Sequence, residues 1–457
     1  MKKEAGILLP IFSLPNLDGI GSFGKEAYEM VDYIKACGFS YLQVLPLNAL
    51  DRSYSPYQSI TSFGGETAYI DLHQLVDLHL IDHLEPVNFN ASHVEYKKVK
   101  DYKEPYFKEA FAHFDSSCPI YGKYIEFKDQ TWWLRDYCSF KVLYHLNNKT
   151  LWPEWTNFEV SEKEWEYEAF KQFLFYEQWT KLKAYANSLN IQIIGDLPFY
   201  VGFNSEDVYN HREIFKLDEN NQPSCVSGVP PDYFNPDGQR WNHPIYDWDK
   251  LKEENYCYWN EKIVAANQLY DIVRLDHFRA FDTFWQVDVH SIGAKDGKWI
   301  EAPGDEFFDQ LLKQEKDLNI IVEDLGYLRQ EVYDLKDKYQ FKGMKILQFS
   351  FDEVVHHQVN ENCLLYTGTH DNNTLKGWLQ NENREGSYWD YLRLALESEA
   401  SIVIMPLQDL LGYDDMYRIN MPGTEGDHNW TVRFTSFDDL KNNMASISKL
   451  LEETDRK

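Results

Sequence analysis

The chain has 457 residues, a formal charge of −29 and an isoelectric point near 4.8. That length accommodates one large α/β barrel with insertions, or two to three ordinary domains. The charge disfavours nucleic acids and anionic membranes as partners, because the summed field repels phosphate, but it leaves neutral ligands open.

In chain order, Met1-Lys2-Lys3 precedes the apolar run Gly6–Pro10, which is too short for the apolar region of a signal peptide and has no small-residue cleavage site after it. No run of about eighteen apolar residues follows anywhere, so no membrane span is expected. Further strand-like runs are Tyr41–Pro46, Ile191–Asp196, Ile272–Asp276, Ile320–Glu323, Lys345–Phe349, Leu364–Gly368 and Ile402–Pro406. With Gly6–Pro10 they make eight. Helical stretches such as Tyr28 to Cys37 and Phe307 to Leu318 lie between them, and strand-helix alternation argues a parallel sheet with crossovers. Eight units predict a closed (β/α)8 barrel, with an open doubly wound sheet as the alternative. The chain is read as one catalytic barrel over residues 1–457, with no appended module, since only about 50 residues follow the eighth run.

Two connections are too long for one helix. The first, about residues 48–190, is expected to be a mainly helical insertion. In it Ser161 and Glu164 have capping-box spacing, and Phe175, Trp179, Leu182, Ala186 and Leu189 lie on one stripe. The second, about residues 199–271, contains Ser227–Pro244, a Pro- and Gly-rich stretch carrying Tyr233, Phe234 and Trp241. It reads as a loop-rich lid or platform over a cleft. Aromatics make up 16% of the chain, with 14 Trp and 31 Tyr, which suits both a large core and a cleft whose rings pack on pyranose faces. Six cysteines (Cys37, Cys118, Cys138, Cys225, Cys257, Cys363) show no Cys-x-x-Cys spacing, so neither zinc nor a disulfide framework is indicated. Reduced thiols in a bacterial cytoplasm are the expectation.

Three runs end in an acid: Asp276, Glu323 and, just beyond Tyr366-Thr-Gly-Thr, Asp371. Taken singly, each is better read as a helix cap or solvated acid, since N-cap positions favour Asp. In a barrel, however, strand ends converge on one face, where active sites lie. Breaking a sugar acetal requires paired carboxyl groups, one to protonate the leaving oxygen and one to attack the anomeric carbon. Arg274 lies two residues before Asp276, so the strand period points both the same way, and the guanidinium would keep Asp276 ionised. A simple ion pair is the competing reading. Glu323 would need a raised pKa to enter the reaction protonated. Asp371, beside His370, would hold sugar hydroxyls; the competing reading of His370 is a core or helix-end histidine.

Several stretches in this order resemble the 4-α-glucanotransferases, the amylomaltase or disproportionating-enzyme family: Gly6–Pro15, Ser55–Ser59, Gly195–Val201, Gly228–Phe234, Val273–Arg279, Glu323–Gly326, Gly368–Asn372 and Arg418–Thr424. The resemblance implies a (β/α)8 barrel of the α-amylase clan and a retaining double displacement on α-1,4-glucans. It implies Asp276 as nucleophile, Glu323 as general acid/base and Asp371 as transition-state stabiliser. It implies sugar contacts from Ser55, Tyr57, Asp232, Gln239, Trp241, Arg274, Asp324, His370 and Asn420, with Tyr233 and Phe234 overhanging the cleft. Maltooligosaccharides and α-1,4-glucans are the expected donors and acceptors, with no metal or organic cofactor required. The chain departs from the family's wording at Asn242-His243, Asn373 and Ala280. The alternatives are an α-1,4-glucan hydrolase of the same clan and a non-catalytic glucan-binding barrel, the latter requiring loss of a catalytic acid that this sequence keeps.

Overall fold

The computed structural model describes residues 2–231 and 236–457. All eight predicted runs overlap strands of one parallel sheet, the sixth only at Lys345 and Ile346 because residues 347–349 turn away: β1 (Glu4–Leu8), β2 (Tyr41–Gln43), β3 (Gln192–Leu197), β4 (Ile272–Leu275), β5 (Ile320–Val322), β6 (Gly343–Ile346), β7 (Cys363–Tyr366) and β8 (Ile402–Pro406). The sheet runs β6-β7-β8-β1-β2-β3-β4-β5. A parallel bridge between Ile321 and Lys342, with Val322 N donating to Lys342 O at 2.9 Å, brings β5 against β6 and closes the barrel. Strands covered on both faces need continuous apolar sequence rather than alternation, and Ile193, Ile194, Val273, Val322, Leu364, Leu365, Val403 and Ile404 are all fully buried.

Close packing sets particular residue choices. A Cβ on Gly195 would stand 2.0 Å from the Tyr270 ring, so β3 carries glycine where that ring lies across it. The helix Lys25–Cys37 ends at Gly38, whose φ of 98° lets its N–H reach back to Ile34 and Lys35 carbonyls. At the C-terminus Arg456 is buried and donates to Glu4 O at 3.0 Å and Ser398 O at 2.8 Å, tying the chain end to the start of β1.

The connection from β2 to β3 is mainly helical, with Tyr96–His113, Tyr121–Gln130, Leu134–Leu146 and the long Glu162–Ser188. Ser161 is the N-cap of that last helix, as its position suggests, but its side chain makes no capping bond, so the expected capping box does not form there. One forms instead at Ser387 and Asp390. The connections after β3 and β4 differ from a simple loop reading. Gln239–Pro244, Cys225–Val229, Thr283–Asp288 and Lys298–Glu301 build a four-stranded antiparallel sheet in that order. Connections that leave the carboxyl ends of barrel strands share one face, so this second sheet stands on the face where the three acids end their strands.

Candidate active site

At the ends of β3 and β4 a single guanidinium holds two carboxylates. Arg274, 5% exposed, donates through Nη1 to both oxygens of Asp196 at 2.6 and 2.8 Å and to Asp276 Oδ1 at 2.9 Å. Asp196, 1% exposed, also accepts from Tyr57 Oη at 2.6 Å. Burial pushes the Asp196 carboxyl up and Arg274 opposes it. Asp196 and Asp276 in turn hold Arg274 well above the ordinary guanidinium range against the effect of its burial. The expected Arg274–Asp276 contact is therefore present, but half of a larger unit. Asp196 ends an apolar run with an acid just as Asp276 and Glu323 do, and that signal was available in Ile193-Ile194-Gly195-Asp196.

Glu323 follows β5 and is locked to the β4 end by its backbone: its N–H donates to Leu275 O at 2.9 Å, and its carbonyl accepts from Phe278 N at 3.1 Å. His277, next to Asp276, adopts φ 50°, an unfavourable left-handed conformation for a side-chain-bearing residue. That turn aims its N–H at Glu323 Oε2 at 2.9 Å, while Leu325 N donates to Oε1 at 3.2 Å. Two amide donors favour a carboxylate, yet burial first and the neighbouring Asp276 charge second outweigh them and Arg274, lifting Glu323 to about 8. At neutral pH Glu323 is thus mostly protonated.

Asp371 is the most open of the three, with 44% of its side chain exposed. Asn420 Nδ2 donates to its Oδ1 at 2.6 Å, and His370 Nε2 lies 3.4 Å from the same oxygen. Arg418 donates to the Asp371 carbonyl at 2.6 Å. His370 is buried in a three-ring cluster: Tyr57 stacks on it at 4.9 Å, Trp430 tilts against it at 5.6 Å, and these two rings touch each other at 5.8 Å. The ring pair joins the β7 loop to Tyr57, which Ser55 positions by accepting its backbone N–H at 3.3 Å. Tyr57 therefore bridges His370 and Asp196, bringing the ends of β3, β4, β5 and β7 into one cluster.

The antiparallel hairpin of Cys225–Val229 and Gln239–Pro244 supplies Gln239 and Trp241. Trp241 receives orientation from Gln239, whose Oε1 accepts the indole N–H at 3.2 Å, and its ring stands edge-on to His277 at 5.0 Å. Asp232, Tyr233 and Phe234 lie outside the described residues. Asp324 points elsewhere than its neighbour Glu323, as strand alternation dictates. Its oxygens take Met344 N at 2.7 Å and Lys336 Nζ at 3.3 Å, which anchors it to β6 and to the helix Gln330–Lys338 that precedes β6.

The departures from family wording have physical explanations. Asn242 adopts φ 63°, a conformation glycine and asparagine tolerate best. His243 is buried flat on Tyr200 at 5.7 Å with Nδ1 3.3 Å from Ser227 Oγ, and burial draws it down to about 4. Asn373 donates to Asp415 at 2.6 Å and accepts from Arg418 at 2.9 Å. A carboxylate there could not donate to Asp415. Ala280 is fully buried in the turn Phe278–Phe281.

A family model described as 4-alpha-glucanotransferase matches residues 9–438. The 4-alpha-glucanotransferase of Streptococcus pneumoniae is 37% identical over 95% of this chain and 94% of its own length. That of Aquifex aeolicus is 35% identical over 98% of each. Among solved structures, the amylomaltase from Streptococcus agalactiae in complex with acarbose has a TM-score of 0.94 at 32% identity, covering 100% of both chains.

Proposed function

The chain belongs to the 4-alpha-glucanotransferase family and is a glycosyltransferase acting on α-1,4-glucans, and from that premise we propose how its residues divide the reaction. The observation that carries the division is the contrast between neighbouring strand-end acids: Asp276 faces the Arg274 guanidinium at 2.9 Å, whereas Glu323 is lifted to about 8. Carboxyl groups set apart in this way mark nucleophile and acid.

Asp276 attacks the anomeric carbon of the donor while Glu323 gives its proton to the glycosidic oxygen, so the reducing-end fragment leaves and a β-glycosyl ester remains on Asp276. Glu323, now a carboxylate, takes the proton from the 4-hydroxyl of a second glucan. That oxygen displaces Asp276 and restores an α-1,4 bond, with net retention. Asp371, oriented by Asn420 and His370, binds hydroxyls of the ring bearing the reacting carbon, and Tyr57 supports that ring's other edge. Asp196 is a positioning residue that fixes Arg274 and Tyr57. Trp241, with Gln239, covers the acceptor side and disfavours water in the second step. The helical connection and the aromatic hairpin act as insertions of a single catalytic unit.

We place the enzyme in the cytoplasm: the six cysteines are unpaired, five of them buried, which fits a reducing compartment. Among the described residues no helix is long and apolar enough to cross a membrane. Maltotriose alone tests the proposal. Transfer yields glucose and longer maltooligosaccharides with almost no rise in total reducing ends. Reducing ends that climb in step with glucose would assign hydrolysis instead.

A further inference from the structure

Outside the catalytic cluster, the loop leaving β1 and the segment after the short turn Thr67–Tyr69 meet at two buried acids. Asp18 is 6% exposed and Asp71 4%. His73, at the start of the short helix His73–Asp77, stands on the solvent side with 66% of its side chain exposed. One ligand atom from each of the three lies within 4.8 Å of the others. Asp18 Oδ2 is buried with no hydrogen-bond partner, and His73 Nε2 faces it at 3.9 Å. Asp71 accepts a long 3.4 Å bond from His73 N.

Two carboxylates this close and this buried need a counter-charge, a proton or an ion. Two neighbouring cations supply part of it at longer range, since Asp18 and Asp71 oppose the lowering of Lys103 and Asp18 opposes that of Arg433, whose Nε has no partner, but their hydrogen bonds go to carbonyl oxygens. Lys103 Nζ donates to the carbonyls of Ala68 and Ile70 at 2.7 Å each, and Arg433 donates to the carbonyls of Asn90 and Asn16. Among the described residues neither reaches ion-pair distance from Asp18 or Asp71. Glu26 adds a third acid nearby, since Asp71 helps to raise it. The N-terminus of the helix Lys25–Cys37 offers Asp71 a partial positive charge, for a Cβ on Gly24 would sit 2.7 Å from its carboxyl carbon. It does not explain the orphaned oxygen of Asp18.

We propose that Asp18, Asp71 and His73 bind one divalent transition-metal ion, with Zn2+ as the best match, clipping the β1 loop to the β2 segment. Two carboxylate oxygens and one imidazole suit Zn2+ or Mn2+ better than Ca2+ or Mg2+, which take oxygen-rich shells. Bonds of about 2.1 Å in tetrahedral geometry set ligand atoms about 3.4 Å apart. His73 and Asp18 stand 3.9 Å apart and the three ligand atoms lie within 4.8 Å of one another, so the exposed imidazole and the carboxylates draw in by up to about 1.4 Å to close the site. Water takes the fourth position on the open side. The ion is structural, with no part in glycosyl transfer.

The test uses the full-length enzyme after chelator treatment, titrated with Zn2+, Mn2+, Ca2+ and Mg2+ by calorimetry and thermal denaturation. One Zn2+ should bind per chain and raise the melting temperature by several degrees. His73→Ala, at an exposed side chain that leaves the core untouched, should weaken Zn2+ binding at least about tenfold while keeping maltotriose disproportionation within about twofold. Asp18→Asn should weaken it similarly. Undiminished Zn2+ binding in His73→Ala would place the ion elsewhere and overturn the proposal. So would the absence of saturable Zn2+ binding to the parent enzyme, which would leave Lys103 and Arg433 as the counter-charge, or a preference for Ca2+ over Zn2+.

Discussion

Replacing Asp276 with asparagine removes the charge that, after burial, does most to lift Glu323. The proposed retaining mechanism sets the two carboxyl groups about 5 Å apart, where they repel by roughly 1.5–3 kcal/mol at an effective dielectric of about 20–40. At about 1.4 kcal/mol per pH unit, that is one to two units. Glu323 should therefore fall from about 8 in the parent enzyme to roughly 6–7 in Asp276→Asn, staying above an ordinary glutamate because burial remains. Carbon-13 NMR of labelled glutamate side chains reads this titration directly. Kinetics of the parent enzyme give the matching sign: Glu323 must enter protonated, so kcat/KM is retained below pH 8 and falls about tenfold per unit above it. A parent Glu323 that titrates near 4.5, or one whose midpoint is the same in Asp276→Asn, would refute the reasoning.

Three further outcomes follow from the geometry. Asn420→Ala removes a 2.6 Å bond to Asp371; bonds to charged groups are worth about 1.5–3 kcal/mol, so kcat/KM should drop roughly 10- to 150-fold with the fold intact, and a change within twofold would remove Asn420 from the site. Asp409 is 1% exposed and lifted to about 7 by burial. Its folded form holds the proton more tightly than the unfolded chain does, so its contribution is greatest at low pH and lost as pH rises to 7. Asp409→Asn should thus gain on the parent by up to a few kcal/mol between pH 5 and pH 8 in urea unfolding, and an unchanged difference would contradict this. Trp241→Ala should increase reducing ends formed per glucose released from maltotriose at least severalfold; an unchanged ratio would show that its ring does not exclude water.

The barrel was legible because its strands are buried on both faces, which forces continuous apolar runs such as Ile320–Val322 and Ile402–Pro406 into the sequence. The second sheet left no such trace. Gln239–Pro244 reads Gln-Arg-Trp-Asn-His-Pro, and Lys298–Glu301 is largely exposed, so neither alternates apolar with polar. The absent side-chain cap at Ser161 shows the limit of spacing: the residue stands at the helix start, but rotamer and competing contacts are tertiary facts. In the site, Arg274 and Asp276 were paired by the period of a single strand. Asp196, 78 residues from Arg274, joins them only because β3 and β4 are neighbours in the sheet. Asp324 illustrates the reverse, since the carboxylate adjacent to Glu323 in sequence belongs to the opposite face and is held by Met344 and Lys336.

The division of labour among the three acids is tested most directly by trapping the glycosyl-enzyme. Glu323→Gln, given a maltosyl fluoride donor that needs little acid assistance, should release fluoride and then stall, because no base activates the acceptor. Peptide mass spectrometry of the stalled enzyme should find one maltosyl group esterified to Asp276. Fluoride release with no adduct, or an adduct on Asp371 or any other residue, would contradict the account.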